Sequence, residues 1–199
     1  MNCCVLFASP RGAQSNTRAL LTEFLAAWRQ AGNTAVVHSL YDEAIHPCMA
    51  CRGCQWDWTS PGCVIDDDMT AVFEDILACD LVLLASPIYN WYCTAPLKAA
   101  MDRCIYALCK YYGDERGPSL WEGKALAVIT TSGYPVERGA DIWEMGLRRT
   151  CKHAHLRWLG LYGERHRNYQ APFMDADKAE RARAFANELM ACLTAEDAL

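Results

Sequence analysis

Apolar positions along the chain alternate between short continuous runs and longer stretches of helical period. Cys3 to Ala8 is a continuous apolar run, which reads as a strand buried on both faces. Ser9-Pro10-Arg11-Gly12 then forms a turn, with Ser15 and Asn16 as candidate helix caps. Beyond Thr17 the apolar residues Leu20, Leu21, Phe24, Leu25 and Trp28 recur at helical spacing, and Gly32 closes that helix. Thr34 to Leu40 reads as a second strand around Val36-Val37. The stretch from Tyr41 to Asp67 is turn-rich and long for a simple connection, and such loops tend to be functional. Asp67 or Asp68 caps a predicted helix to about Ala78, and Leu81 to Ala85 is a third strand, broken by Pro87. Pro96 opens a helix reaching Lys110, and Lys124 to Thr130 is a fourth strand. A helix from about Arg138 to Cys151 leads to a fifth strand, Leu156 to Tyr162. Asp175 or Asp177 opens a last helix with Ala182, Phe185, Ala186, Leu189 and Leu193 on one face.

Five strands alternating with helices predict a single α/β domain over residues 1–199, its parallel sheet covered on both faces. Right-handed crossovers leave few topologies, of which the strand order 2-1-3-4-5 is the natural one. The chain shows no internal repeat, low-complexity tract or linker. At 199 residues it has room for one domain, and a hydrophobic share of 52% is too rich for disorder. Nineteen basic against 24 acidic side chains give a net charge of −5, with no Lys/Arg cluster longer than a pair. That balance argues against a nucleic-acid or anionic-membrane surface. No apolar run approaches the ~18 residues of a membrane span, and Met1 to Phe7 lacks the pattern of a signal peptide. The twelve cysteines are therefore expected in a reducing cytoplasm, some of them in metal or redox roles, rather than as a disulfide scaffold.

In an open parallel sheet, ligands bind beyond the carboxyl ends of the strands, near the switch in strand order. Three unusual segments fall there: residues 9–17, 86–93 and 131–135. The first offers hydroxyls, an amide, a guanidinium and a helix N-terminus, which suit a phosphate monoester dianion; an ordinary capped turn uses the same residues. It matches neither G-x-x-x-x-G-K-[ST] nor G-x-G-x-x-G, and the chain has no G-x-S-x-G elbow. The second, Ser86 to Tyr92, presents aromatic faces and backbone amides to a flat heteroaromatic ring, or packs as a turn at a subunit interface. The third, Thr131, Ser132, Gly133 and Tyr134, adds small residues and backbone donors beside the same place. A phosphate at one end and a flat ring at the other describe FMN.

These segments, with Asp67-Asp68-Met69 and Lys98 to Asp102-Arg103, resemble the NADPH-dependent FMN reductase family over roughly residues 1–162. Within it, Pro47-Cys48-x-x-Cys51-x-x-Cys54 and Cys63 resemble the iron–sulfur flavoproteins. The resemblance implies a flavodoxin-like fold, bound FMN, and a homodimer or dimer of dimers. It implies Ser9, Arg11, Ser15, Asn16 and Thr17 at the phosphate, and Pro87, Ile88, Tyr89, Asn90 and Trp91 along the ring. The expected activity is electron transfer from NAD(P)H or ferredoxin to a small acceptor such as a quinone or free flavin. The flavin carries that chemistry, and no side chain is needed as acid or base.

A Cys48-x2-Cys51-x2-Cys54 run folds three thiolates to one side of a tight loop and leaves Cys63 as the fourth ligand of a [4Fe–4S] cube. Zinc accepts the same four thiolates, and free thiols in a loop are the third reading. A cluster would make the protein an electron carrier; zinc would suit a binding module with a degenerate flavin site. Cys3, Cys4, Cys79, Cys93, Cys104, Cys109, Cys151 and Cys192 lie mostly inside predicted elements and read as core packing. Cys93, at the start of the helix after the ring loop, is the exception, since a thiol near a helix N-terminus can have a depressed pKa. Trp91, Tyr92, Tyr106, Tyr111, Tyr112 and Trp121 exceed what one small core needs and suggest a homodimer interface.

Overall fold

Five strands form one all-parallel sheet in the order β2-β1-β3-β4-β5 in a computed structural model that describes residues 1–195. The last four residues of the predicted 1–199 domain lie outside the described residues. The strands are β1 (Asn2–Phe7), β2 (Thr34–Ser39), β3 (Leu81–Pro87), β4 (Ala125–Ser132) and β5 (Arg157–Arg165). The helices are α1 (Asn16–Gln30), α2 (Met69–Ala78), α3 (Ala95–Leu108), α4 (Val136–Gly139), α5 (Asp141–Ala154) and α6 (Ala176–Thr194).

Alternation along the central strands divides the core in two. Cys3, Val5 and Phe7 of β1 pack with Leu20, Phe24 and Trp28 of α1 and with Phe185 and Leu189 of α6. Cys4, Leu6 and Ala8 face the other way, against Ile76 of α2, Leu97 and Cys104 of α3, and Trp143 and Leu147 of α5. Every position of β4 is buried, as expected for a central strand covered on both faces, whereas β2 and β5 at the edges are only partly buried.

Four expectations change. The predicted helix Arg138–Cys151 is two helices, because Ala140 departs from helical geometry after the short turn of α4. The fifth strand runs three residues past Tyr162 to Arg165, with an irregularity opposite Leu126/Ala127 where Gly160 takes φ +130. Glycine tolerates that conformation, which a side chain would strain. Pro87 does not break β3 but ends it, in register with Thr131; its missing N–H costs nothing at a strand end. Asp68 stands at the N-cap of α2 but its carboxylate accepts from Ala44 N in the preceding loop, while Asp67 accepts from Met69 N at the start of α2 at 3.2 Å as well as from His46 N.

Trp28 is fully buried, stacks on Phe24 at a ring separation of 5.9 Å, and donates its indole N–H to Thr34 O at 2.9 Å. Trp28→Ala is expected to cost about 3–5 kcal/mol in urea unfolding; a loss under about 1 kcal/mol would mean that α1 is not seated on the sheet as described.

Candidate functional site

The carboxyl ends of β1, β3 and β4 open on one edge, where the order switches from β2 on one side of β1 to β3 on the other. The loop after β1 holds a buried Ser9, an exposed Arg11 and a 3-10 turn, Gly12–Gln14. Gly12 has φ +50 with open space around it, so glycine is needed there for backbone freedom rather than room. Ser15 caps α1, its Oγ accepting from Arg18 N at 2.9 Å. The first helical N–H groups, of Asn16 and Thr17, have no helical acceptor and face the strand edge. The Arg11 carbonyl accepts from Gln14 N at 3.0 Å, and its guanidinium has no hydrogen bond or ion pair among the described residues. Arg18, by contrast, lies over the Phe7 ring and reaches Ser39.

Cross-links hold this loop to the others. The buried Thr17 and Thr131 hydroxyls are 2.8 Å apart, and Asn16 Nδ2 meets His166 Nδ1 at 2.9 Å. Ile88 N donates to Thr131 O at 2.8 Å, and Thr94 Oγ1 donates to Ala8 O at 2.9 Å. Tyr89 and Tyr92 exchange two backbone hydrogen bonds, which makes Asn90 (φ +50) and Trp91 (φ +61) the corners of a tight turn. A tryptophan in this region is strained. Its indole donates to Arg138 O at 3.1 Å and its ring stacks on Tyr134 at 5.9 Å.

Between these loops lies a cleft of about 150 Å³, lined by Ile88, Asn90, Trp91, Ser132, Gly133, Tyr134 and Gly139. Gly139 is packed so that an added Cβ would stand 3.1 Å from Ser132 Oγ, and one on Gly133 would stand 3.3 Å from the Tyr169 hydroxyl. The structure thus gathers all three predicted segments on one edge. It adds His166 and Tyr169 from beyond β5, which no local pattern marked. A larger cleft of about 390 Å³ lies at the opposite strand edge, around Asp80, Glu122 and Lys124. It is remote from the loops that strand order predisposes to bind ligands.

The 41–67 segment contains no α-helix or strand, only a 3-10 turn at Gly53–Gln55. Cys48, Cys51, Cys54 and Cys63 all line one small cavity with Ile65, Arg103 and Tyr106. Ala50 (φ 53) and Arg52 (φ 60) wind the chain between the cysteines, and the Cys48 sulfur accepts from Ala50 N at 3.4 Å. No described group of three His, Cys, Asp or Glu side chains is arranged to hold a single metal ion. All twelve cysteines are free thiols. Cys192 is exposed rather than packed in the core, because it falls on the outer face of α6. Cys93 departs from expectation in the other direction: burial pushes its thiol up to about 12. Desolvation there outweighs the helix terminus, so Cys93 stays protonated. Trp121 is in the core, Tyr106 stacks on Tyr112 at 4.7 Å, and Trp91 sits at the cleft.

The base of the cysteine loop is fixed by a buried ion pair. Arg103 and Asp67 side chains are 1% and 2% exposed, with NH1 to Oδ2 at 2.8 Å. Arg103 also donates to His46 O at 2.9 Å, and His46 N donates to Asp67 at 2.9 Å. Burial alone would raise the Asp67 carboxyl, but the guanidinium and the backbone donors outweigh it and hold it at about 2. An unfolded aspartate titrates near ~3.9, so this contribution is complete above that pH and is lost as pH falls toward about 2. Asp67→Asn is expected to cost about 3–5 kcal/mol at pH 7, since it strands a buried guanidinium. The gap to wild type in urea unfolding should narrow below about pH 4; a gap that is constant with pH would contradict the pairing.

Comparison with known proteins bears on the same residues. A family description of the flavodoxin-like fold matches residues 1–189. The chain is 33% identical over 97 residues to an iron–sulfur flavoprotein of Methanosarcina thermophila, covering 49% of each chain. It is 31% identical over 140 residues to an FMN-dependent NADH:quinone oxidoreductase of Azotobacter vinelandii, covering 65% of this chain and 69% of that one. The chain spans about half the length of the iron–sulfur flavoproteins it matches. Among solved structures, an FMN-dependent NADH-azoreductase from Bacillus anthracis in complex with FMN superposes with a TM-score of 0.69. That likeness covers 95% of this chain and 99% of the other at 15% identity, and so speaks for the fold alone. No helix among the described residues is long and apolar enough to cross a membrane.

Proposed function

The chain belongs to the flavodoxin-like family, and from that membership we propose that it is an FMN-dependent oxidoreductase passing electrons from NAD(P)H to a small planar acceptor such as a quinone. The observation that carries this reading is the convergence of the three predicted loops on the edge where strand order switches. The residues suit FMN chemically. The free amides of Asn16 and Thr17, the Ser9 and Ser15 hydroxyls and the unpartnered Arg11 supply donors for a phosphate dianion. Ile88, Asn90 and Trp91, with Ser132 and Gly133, line the cleft for the ring, and Pro87, Tyr89 and Thr131 are their chain neighbours. The Gly133 and Gly139 positions keep that wall low enough for a flat molecule to approach the backbone. Bound FMN would supply hydride acceptance and electron transfer. The protein's part is to hold it, with the Trp91–Tyr134 pair bordering the approach of donor and acceptor. A homodimer, or a dimer of dimers, is part of the same reading and rests on the family resemblance.

A second reading has its own support. The four cysteines on one cavity provide the donor set of a [4Fe–4S] cluster, which would add one-electron steps and allow ferredoxin as donor. Metal analysis separates this reading from zinc, which would accept the same four thiolates. The space at their centre is about 10 Å³, one water's worth, so loading requires the Cys48–Cys54 turn to move outward. Cys51, Met49 and Arg52 are exposed on that side, and nothing packs over them.

Arg11→Ala removes a charged contact to the phosphate, about 1.5–3 kcal/mol, so FMN affinity should fall roughly 10- to 150-fold in a fluorescence-quenching titration. Unchanged affinity removes Arg11 from the site, and no FMN binding by the wild type refutes the proposed function.

A further inference from the structure

Two buried cations, one on α3 and one just past its end, reach the cysteine loop and are compensated differently. Arg103 is neutralised by Asp67 at the loop's base. Lys110, just past the end of α3, is 0% exposed and has no carboxylate partner. Its ammonium donates to Cys54 O at 2.7 Å and to Pro61 O at 3.0 Å. Those two carbonyls lie near the two ends of the Cys54–Cys63 span. The hydrogen bonds therefore close the segment that brings the fourth cysteine back to the other three. Trp58 and Gly117 cover the lysine stem, and a Cβ on Gly117 would come within 2.7 Å of both. The titratable groups around it are the Cys54, Cys63 and Cys109 thiols and the Asp57 carboxylate, which accepts from Thr59 and Ser60 at the surface. A desolvated ammonium satisfied only by neutral carbonyls is costly unless an anion stands nearby.

We propose that Lys110 is the built-in counter-charge of the four-cysteine site, positioning Cys54 and Cys63 and favouring the site's more negative, reduced state. This rests on the cluster reading above. A four-thiolate [4Fe–4S] site carries net negative charge that grows by one when a single electron enters from a chemical reductant such as dithionite, with no bond made or broken. A fixed positive charge in a low-dielectric setting stabilises that added charge.

The test uses full-length protein reconstituted anaerobically with ferrous iron and sulfide, comparing wild type, Lys110→Met and Lys110→Arg. Poised at the wild-type midpoint potential, Lys110→Met should show an oxidised-to-reduced ratio at least tenfold higher, a downward shift of about 59 mV for one electron. Lys110→Arg, which keeps the charge, should stay within about twofold of wild type. If Lys110→Met binds FMN but fails to load iron and sulfide while Lys110→Arg loads, the counter-charge role is likewise supported. Equal potentials in loaded wild type and Lys110→Met overturn the role of Lys110 and leave the cluster standing. Loss of loading in both variants also overturns it, since charge is then not what matters. A wild type that takes up no iron and sulfide overturns the cluster reading, and the counter-charge with it.

Discussion

A parallel sheet obliges every strand to end on the same edge, and the rest of this structure follows from that constraint. β1, β3 and β4 are the central strands, so their following loops are brought together without any of them having to fold over the others. Between β1 and β3 the chain reverses the side on which it adds strands, which leaves a crevice that no crossover helix fills. The loops are then braced against one another by a few buried polar contacts: Thr17 to Thr131, Ile88 to Thr131, and Thr94 to Ala8. Each is between residues far apart in sequence, so loop geometry is a property of the whole sheet. The positive φ at Trp91, a strain of order 1–3 kcal/mol, persists because Tyr89, Tyr92 and the Arg138 carbonyl fix the turn on three sides.

Helix α3 ties the two candidate sites together. Its N-terminal end begins at Thr94, whose hydroxyl is bonded under the cleft. Its C-terminal half presents Arg103 and Tyr106 to the cysteine loop, and Lys110 reaches the same loop from just past its end. From Thr94 to Arg103 the helical rise is about 14 Å. The loop of 41–67 has almost no regular structure of its own, so these side chains, rather than a sheet or a helix, give it its shape. Arg103 fixes its two ends and Lys110 fixes its tip.

The architecture was legible because its signals are local and periodic. Continuous apolar runs such as Cys3–Ala8 and Leu81–Ala85 have few readings besides a covered strand, and the helix from Thr17 carries an unmistakable apolar face. That the segments 9–17, 86–93 and 131–135 share one strand edge was legible because each is contiguous and follows a strand. What the pattern missed is non-local. His166 meets Asn16 across 150 positions, and Lys110 reads in sequence as the polar end of a helix although it is wholly buried. Asp67 looks like a helix cap, and only the fold reveals that Arg103 claims it. Cys93 and Cys192 misled because helix position alone fixes neither burial nor face. The four loop cysteines were singled out by spacing, and the structure places them around one cavity.

The account's central claim is that this strand edge holds FMN. An anaerobic absorption spectrum of the purified chain, with flavin released on denaturation and with iron and acid-labile sulfide quantified, tests it directly. The account predicts flavin bands and close to one FMN per chain, retained or taken up on addition of FMN. A colourless protein that releases no flavin and gains none from added FMN would contradict it.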